Sequence, residues 1–369
     1  MRTRAIVIRV FGLCLFLLAF AGTLAAQAQE ASSGFDLNST LSAEALYSPQ
    51  LAIPERDNAP AIGALRAVLY PTWKLSKHWT LFASLQAYSR PYFYEDFATP
   101  GYLLNGNVLQ ANLSYSQFWE NRSLIVRVGY LSSAFGSFLL RYDDAVNPLV
   151  DMPASYGYYY KTVTTSGLPG AEVDTTLGKF DARLQFTNSS PANPQPLTSR
   201  DQYGDWTGGA GYTIIQGLRV GASAYRGPYL SRNYAYFFPG EWNPNLLPGT
   251  GVGADVEWGH GPLNVNGEWQ RFQMDYHAIP TYITQFGYGE ARVTLHPRWY
   301  VATRLTYQRP NMGYGSQIYE FAVGYRLGAH ELMKVDYEAK QGEGISGASQ
   351  NALAVQFVTS LHMVSLAGR

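Results

Sequence analysis

The chain has 369 residues, 46% of them hydrophobic and only 15% charged, with 27 basic residues balancing 27 acidic ones. A soluble domain usually carries about a quarter charged residues, so the composition argues against an ordinary soluble enzyme. The even balance gives no reason to expect a nucleic-acid partner.

Residues 1–28 read as a secretory signal. Arg2, Arg4 and Arg9 give a positive start, Val10 to Gly22 is apolar, and Ala26-Gln27-Ala28 supplies the small residues of a cleavage site. Cleavage is expected after Ala28. The alternative, an uncleaved anchor, is disfavoured because the run is short for a membrane-crossing helix. The one cysteine, Cys14, follows Phe11-Gly12-Leu13 and lacks the small residues of a lipoprotein site. Without this segment, 24 basic residues face 27 acidic ones, and residues 29–369 form one domain.

From Phe35 onward, apolar and polar residues alternate. Phe35, Leu37, Leu41, Ala43, Ala45 and Tyr47 share one face of the first stretch, with Asp36, Asn38, Thr40, Ser42 and Glu44 on the other. About sixteen such stretches follow one another, each close to the ten residues that a tilted strand needs to cross a bilayer. No later run of about 18 apolar residues predicts a transmembrane helix. The expected fold is therefore all-β, a transmembrane antiparallel barrel of about sixteen strands, apolar towards lipid and polar towards a wet lumen.

The first strand ends near Tyr47, before a loop with Pro49, Pro54 and Pro60. The second runs from Ala61 to Leu75, turns at Ser76-Lys77-His78, and returns over Trp79 to Arg90. A longer loop leads to strand four, Val108 to Trp119, and Glu120-Asn121-Arg122 turns the chain into strand five, Ser123 to Tyr130. The longest connection, Leu131 to Gly167, comes next. Tight turns recur at Gly178-Lys179, Ile215-Gln216-Gly217, Gly259 to Pro262, His296-Pro297-Arg298 and Gly328-Ala329-His330, with long loops between them, notably Gly227 to Thr250. Short turns on one side and long loops on the other are the asymmetry of bacterial barrels. Trp73, Trp79, Trp119, Trp258 and Trp299 all neighbour short turns and predict an aromatic girdle there.

This order resembles that of the sixteen-stranded porins of Gram-negative bacteria. In those porins the longest, inward-folding loop follows strand five, as Leu131 to Gly167 does here. The resemblance implies an outer-membrane, water-filled channel for passive diffusion of small hydrophilic solutes and ions, in contact with outer-membrane lipid and assembled as a homotrimer, with no cofactor. It also implies a constriction in which basic residues of the early strands, Arg66, Arg90 and Arg127, face acids of the loop, Asp143, Asp144 and Asp151, with Arg141 beside them. A loop exposed on the outer surface is the competing reading. The chain departs from the pattern at its end, where Phe357 is the last aromatic and Leu361 to Arg369 holds none. Either the final strand stops early, or the terminal signal is relaxed.

Inward parity also gives Lys74, Arg183 and Arg219, and later Glu257, Glu268, Glu290, Arg292, Arg304, Glu320, Arg326, Lys334, Asp336 and Glu338. These signs are mixed, so no ion preference follows. The tyrosines at Tyr92-Phe93-Tyr94 and Tyr156 to Tyr160 either stack sugar rings or pack loops together. Two alternatives therefore stand beside the general pore: a specific channel for oxyanions or saccharides, and a plugged structural or adhesin barrel. An enzyme is not expected. His78, His260, His296 and His330 fall at short turns, His277 lies near a loop and His362 in the tail, and no nucleophile–base pattern or metal-type cluster accompanies them.

Overall fold

A computed structural model describes residues 33–48, 61–89, 92, 104–156, 162–195, 198, 203–228, 247–276, 280–313, 315–342 and 350–367. The expected signal segment and Arg90, Phe93, Tyr94, Tyr158, Tyr159, Tyr160 and His277 lie outside them. In chain order the strands are β1 Gly34–Tyr47, β2 Ala61–Lys74, β3 Trp79–Ser89, β4 Leu104–Trp119, β5 Arg122–Leu131, β6 Leu168–Leu177, β7 Phe180–Thr187 and β8 Asp205–Ile215. The second half continues with β9 Leu218–Pro228, β10 Pro248–His260, β11 Leu263–Met274, β12 Tyr282–His296, β13 Trp299–Pro310, β14 Ser316–Arg326, β15 Glu331–Gln341 and β16 Gln350–Ala367. Each strand pairs antiparallel with its neighbours, and β16 closes on β1. Closure leaves no free edge, so every ladder finds a partner within the wall.

Alternation sets the two faces. Along β15, Leu332, Lys334, Asp336, Glu338 and Lys340 are buried inside the barrel, while Met333, Val335 and Tyr337 are exposed outside. Leu353, Phe357, Leu361 and Leu366 continue this outer apolar face on β16. An exposed face of this kind is what hydrocarbon demands. Trp79, Trp119, Trp258 and Trp299 are exposed near the short-turn end.

Two local features depart from simple alternation. Pro71 lies inside β2, opposite Leu37 of β1, and the β2–β3 ladder skips Tyr70 and Pro71 between Leu69 and Thr72. Proline has no amide hydrogen to give that ladder. β1 and β16 slip by one residue at Leu37/Asn38. Beyond the slip, Gly34 still pairs with Ala367. The last strand therefore does not stop near Phe357, and its final turn-end residues complete the seam although none is aromatic.

Candidate functional site

Between β5 and β6 the described residues 132–156 run along the inner wall, not away from it. Ala134 to Gly136 lies flat on the side-chain-poor inner face of β8 to β10, where the Gly136 amide donates to Ser223 Oγ at 3.0 Å. Gly136 has φ +75°, a left-handed conformation that favours glycine. Any Cβ there would strike the Tyr156 hydroxyl. Phe135 packs edge-on against Tyr225, with ring centroids 5.2 Å apart, and also contacts Phe272. Two 3₁₀ turns follow, Phe138–Arg141 and Ala154–Tyr156. Phe138, Tyr142, Tyr156 and Val163 join Val68, Phe286, Tyr288 and Ile318 of the wall in one buried apolar cluster.

Charged wall residues hold this segment by its main chain and side chains. Glu268 on β11 accepts hydrogen bonds at Oε1 from the amides of Ser137 (3.0 Å) and Phe138 (2.7 Å), the Ser137 hydroxyl (2.9 Å) and Tyr288 (2.7 Å). Its Oε2 accepts from Tyr156 and Gln270, both at 2.7 Å. From Pro148 to Asp151 four successive residues are each held by the wall through the main chain. Tyr300 donates to the Pro148 carbonyl at 3.0 Å and Lys334 to that of Leu149 at 3.1 Å. The Val150 amide donates to Asp336 at 2.7 Å, and Arg304 donates to the Asp151 carbonyl at 2.6 Å. Arg304 also pairs with Glu320 at 2.6 Å and Glu290 at 3.4 Å.

The expected constriction residues separate into distinct places. Arg66 and Asp144 meet at 2.6 Å and are almost fully buried. Asp144 also accepts from Ser42 at 2.6 Å and Tyr92 at 2.7 Å. Burial raises the Asp144 pKa, but the Arg66 guanidinium and these donors outweigh it and hold the carboxyl below the usual range. Asp143 takes the Tyr70 hydroxyl and caps its own turn through the Ala145 amide. Arg141 donates to Glu290 at 2.8 Å and to Tyr288 at 2.7 Å; burial opposes its charge, while Tyr288 and the nearby glutamates raise its pKa further.

Arg127 does not face the loop acids, which corrects the expected pairing. Glu172 stands directly opposite it in the β5–β6 ladder, and its side chain pairs with Glu172 and Asp174 of β6. Cross-strand neighbours lie within about 5.5 Å, which brings these β6 acids within reach of the guanidinium. The Asp151 main chain meets Arg304. Arg90 is outside the described residues. Tyr92 and Tyr156 are buried with their hydroxyls on Asp144 and Glu268, so neither presents a ring to a passing solute.

The lumen therefore has two zones. Towards the short turns Arg127, Arg183 and Arg219 are half-exposed, with side-chain exposures of 27–28%. Around the segment, Arg66, Arg304 and Lys334 are out of solvent.

No protein-family model matches the chain, and no curated protein matches it. Solved structures do. The outer membrane channel DcaP of Acinetobacter baumannii superposes with a TM-score of 0.62 at 12% identity, covering 92% of this chain and 100% of that one. The anion-selective porin from Comamonas acidovorans gives 0.59 at 11%, over 90% and 100%. OmpF of Salmonella typhi gives 0.59 at 12%, over 89% and 97%. The fold is that of the outer-membrane porins.

Within this porin fold, Glu268, Tyr70 and Tyr288 carry weight that inward parity alone does not reveal. Parity marks Glu268 as facing the lumen, yet four of its six donor contacts come from residues 112–131 positions away in sequence. Among the described residues no group of three or more His, Cys, Asp or Glu side chains is placed to hold a metal ion.

Proposed function

We propose that the protein is an outer-membrane channel through which small hydrophilic solutes and ions diffuse passively, with the β5–β6 segment as its constriction and no chemistry performed. The observation that carries this is the segment itself: ionic and polar groups from β1, β2, β11, β12, β13 and β15 converge on it inside a closed barrel. Charged groups around a narrow passage bias which solutes enter. Removal of residues 1–28 before insertion belongs to this reading, as does assembly into a trimer, the form in which OmpT of Vibrio cholerae was determined. Uptake into liposomes tests it. Flux should rise linearly with solute concentration, whereas saturation by an oxyanion or a sugar would replace the general pore with a specific channel.

A second reading, a barrel closed by its own segment, is favoured by one observation. Phe138, Tyr142, Tyr156 and Val163 of the segment pack against Val68, Phe286, Tyr288 and Ile318 of the wall as a buried apolar cluster, the kind of packing that a plug makes. Under that reading, no solute flux is expected.

A further inference from the structure

Most inward arginines of the wall have a carboxylate. Arg66 pairs with Asp144, Arg127 and Arg183 with Asp174, Arg219 with Asp181 and Asp255, and Arg304 with Glu320. Arg292 of β12 and Arg326 of β14 stand apart. Neither makes an ion pair or a side-chain hydrogen bond among the described residues.

Arg292 is held by a ring instead. Its guanidinium carbon lies 5.1 Å from the centroid of the Tyr300 ring. Tyr300 is fixed in turn, because its hydroxyl donates to the Pro148 carbonyl at 3.0 Å. Gly324, directly opposite on β14, leaves room for the ring, which a Cβ there would strike. Arg326 follows two residues later on the same face, at the short-turn end, and both arginines lie within electrostatic reach of the Tyr300 hydroxyl.

Two acids share that reach, Glu290 and Asp336. Glu290 is committed to Arg141, Asn266 and Arg304. Asp336 is buried, accepts the Val150 amide, and is separated from Arg292 in the ladders by Ala302 and Ala322, over which Leu149 packs. Near the rim, Glu331 lies against Gly328 of the turn and makes no ion pair with Arg326 among the described residues.

A guanidinium resting on an aromatic face keeps its planar fork of N–H donors for an oxyanion, which can accept two of them at once. The Nε of Arg292 is buried without an acceptor, so no protein group compensates this charge. The residue is only half-buried and Arg326 is exposed, which leaves an open edge towards the lumen. An anion at that edge offsets the cost of a partly buried charge without a counter-ion.

We propose that Arg292, backed by Tyr300, is a subsite for small oxyanions on the short-turn side of the segment, and that Arg326 draws them to it. The proposal deepens the channel reading above and rests on it for its role, since the site meets solutes on their way through the lumen. A single weak stop slows oxyanions, while uncharged solutes still flow in proportion to their concentration.

Phosphorus NMR tests it on the folded protein in a phosphate-free detergent, with inorganic phosphate titrated at constant ionic strength. The phosphate signal should broaden with the wild type, and Arg292→Gln/Arg326→Gln should weaken the apparent affinity by roughly tenfold. Arg183→Gln removes a paired arginine of similar exposure and should leave the affinity close to that of the wild type. Neither Arg292 nor Arg326 leaves a partner stranded, so the barrel should form, which gel migration before and after boiling verifies. Should the double variant fail to fold, Arg292→Gln alone should weaken binding in the same direction. No broadening by the wild type, or an equal loss in Arg183→Gln and Arg292→Gln, overturns the subsite. The measurement needs no current, so a barrel that binds phosphate through Arg292 yet carries no ions would support the subsite and overturn the channel reading instead.

Discussion

Single residues decide whether the segment stays docked. Glu268 offers six acceptor contacts with no ion pair at its carboxylate among the described residues, so Glu268→Ala would strand two backbone amides, the Gln270 side-chain amide and three hydroxyls around an empty space. Each buried donor left unmet costs about 1–3 kcal/mol. The temperature at which the compact gel band converts to the unfolded one should fall clearly for Glu268→Ala and less for Glu268→Gln. Arg304→Ala should cost about 3–5 kcal/mol, because Glu320 and Glu290 are left charged and buried. Adding Glu320→Gln should recover part of that loss, and no recovery would mean that the pair is not what holds Asp151. Asp144 gives the pH dependence. Its pKa is lowered in the folded state, so its contribution is complete above the ordinary carboxylate value of 3.8 and is lost as pH falls through the depressed one. The stability difference between wild type and Asp144→Asn should therefore persist from about pH 8 to 5 and close only below about 3.8. A difference that vanished near neutrality would contradict the Arg66–Asp144 pairing.

At the level of elements, the seam between β1 and β16 is the most exposed to challenge. Val358 to Ala367 pair with Gly34 to Ser42 across a one-residue slip. Ending the chain after Phe357 would leave that half of β1 as a free edge in lipid, where each unpaired group costs several kcal/mol. The shortened chain should lose the heat-stable gel band, and retention of that band would show that the seam beyond Phe357 is dispensable. Sequence is informative about these strands because alternation has a period of two and is written locally. The tight turns at Gly178-Lys179 and His296-Pro297-Arg298 emerge as expected for the same reason, between β6 and β7 and between β12 and β13. The end of β16 was harder to read, since His362, Met363 and Ser365 blur the pattern and only pairing with β1 carries the strand onward.

For the whole molecule, legibility stops at contacts between distant parts of the chain. Parity reveals that Arg66, Arg127 and Glu268 face inward, yet says nothing about which side chain meets them. Arg127 takes its nearest cross-strand acids, whereas Arg66 reaches Asp144, 78 residues on. Four bonds to Glu268 depend on a segment whose path is set by glycines, apolar rings and wall charges acting together, and no local pattern encodes that. The described residues also pack the lumen around the segment more closely than a simple wide pore would require. The central claim, that this segment is the constriction of a conducting barrel, meets its most direct test in single-channel recordings. The wild type should be compared with a variant in which residues 134–153 are replaced by a short glycine–serine linker. The account predicts small conductance steps for the wild type and steps several-fold larger for the variant; equal steps in both proteins, or none in either, would contradict it.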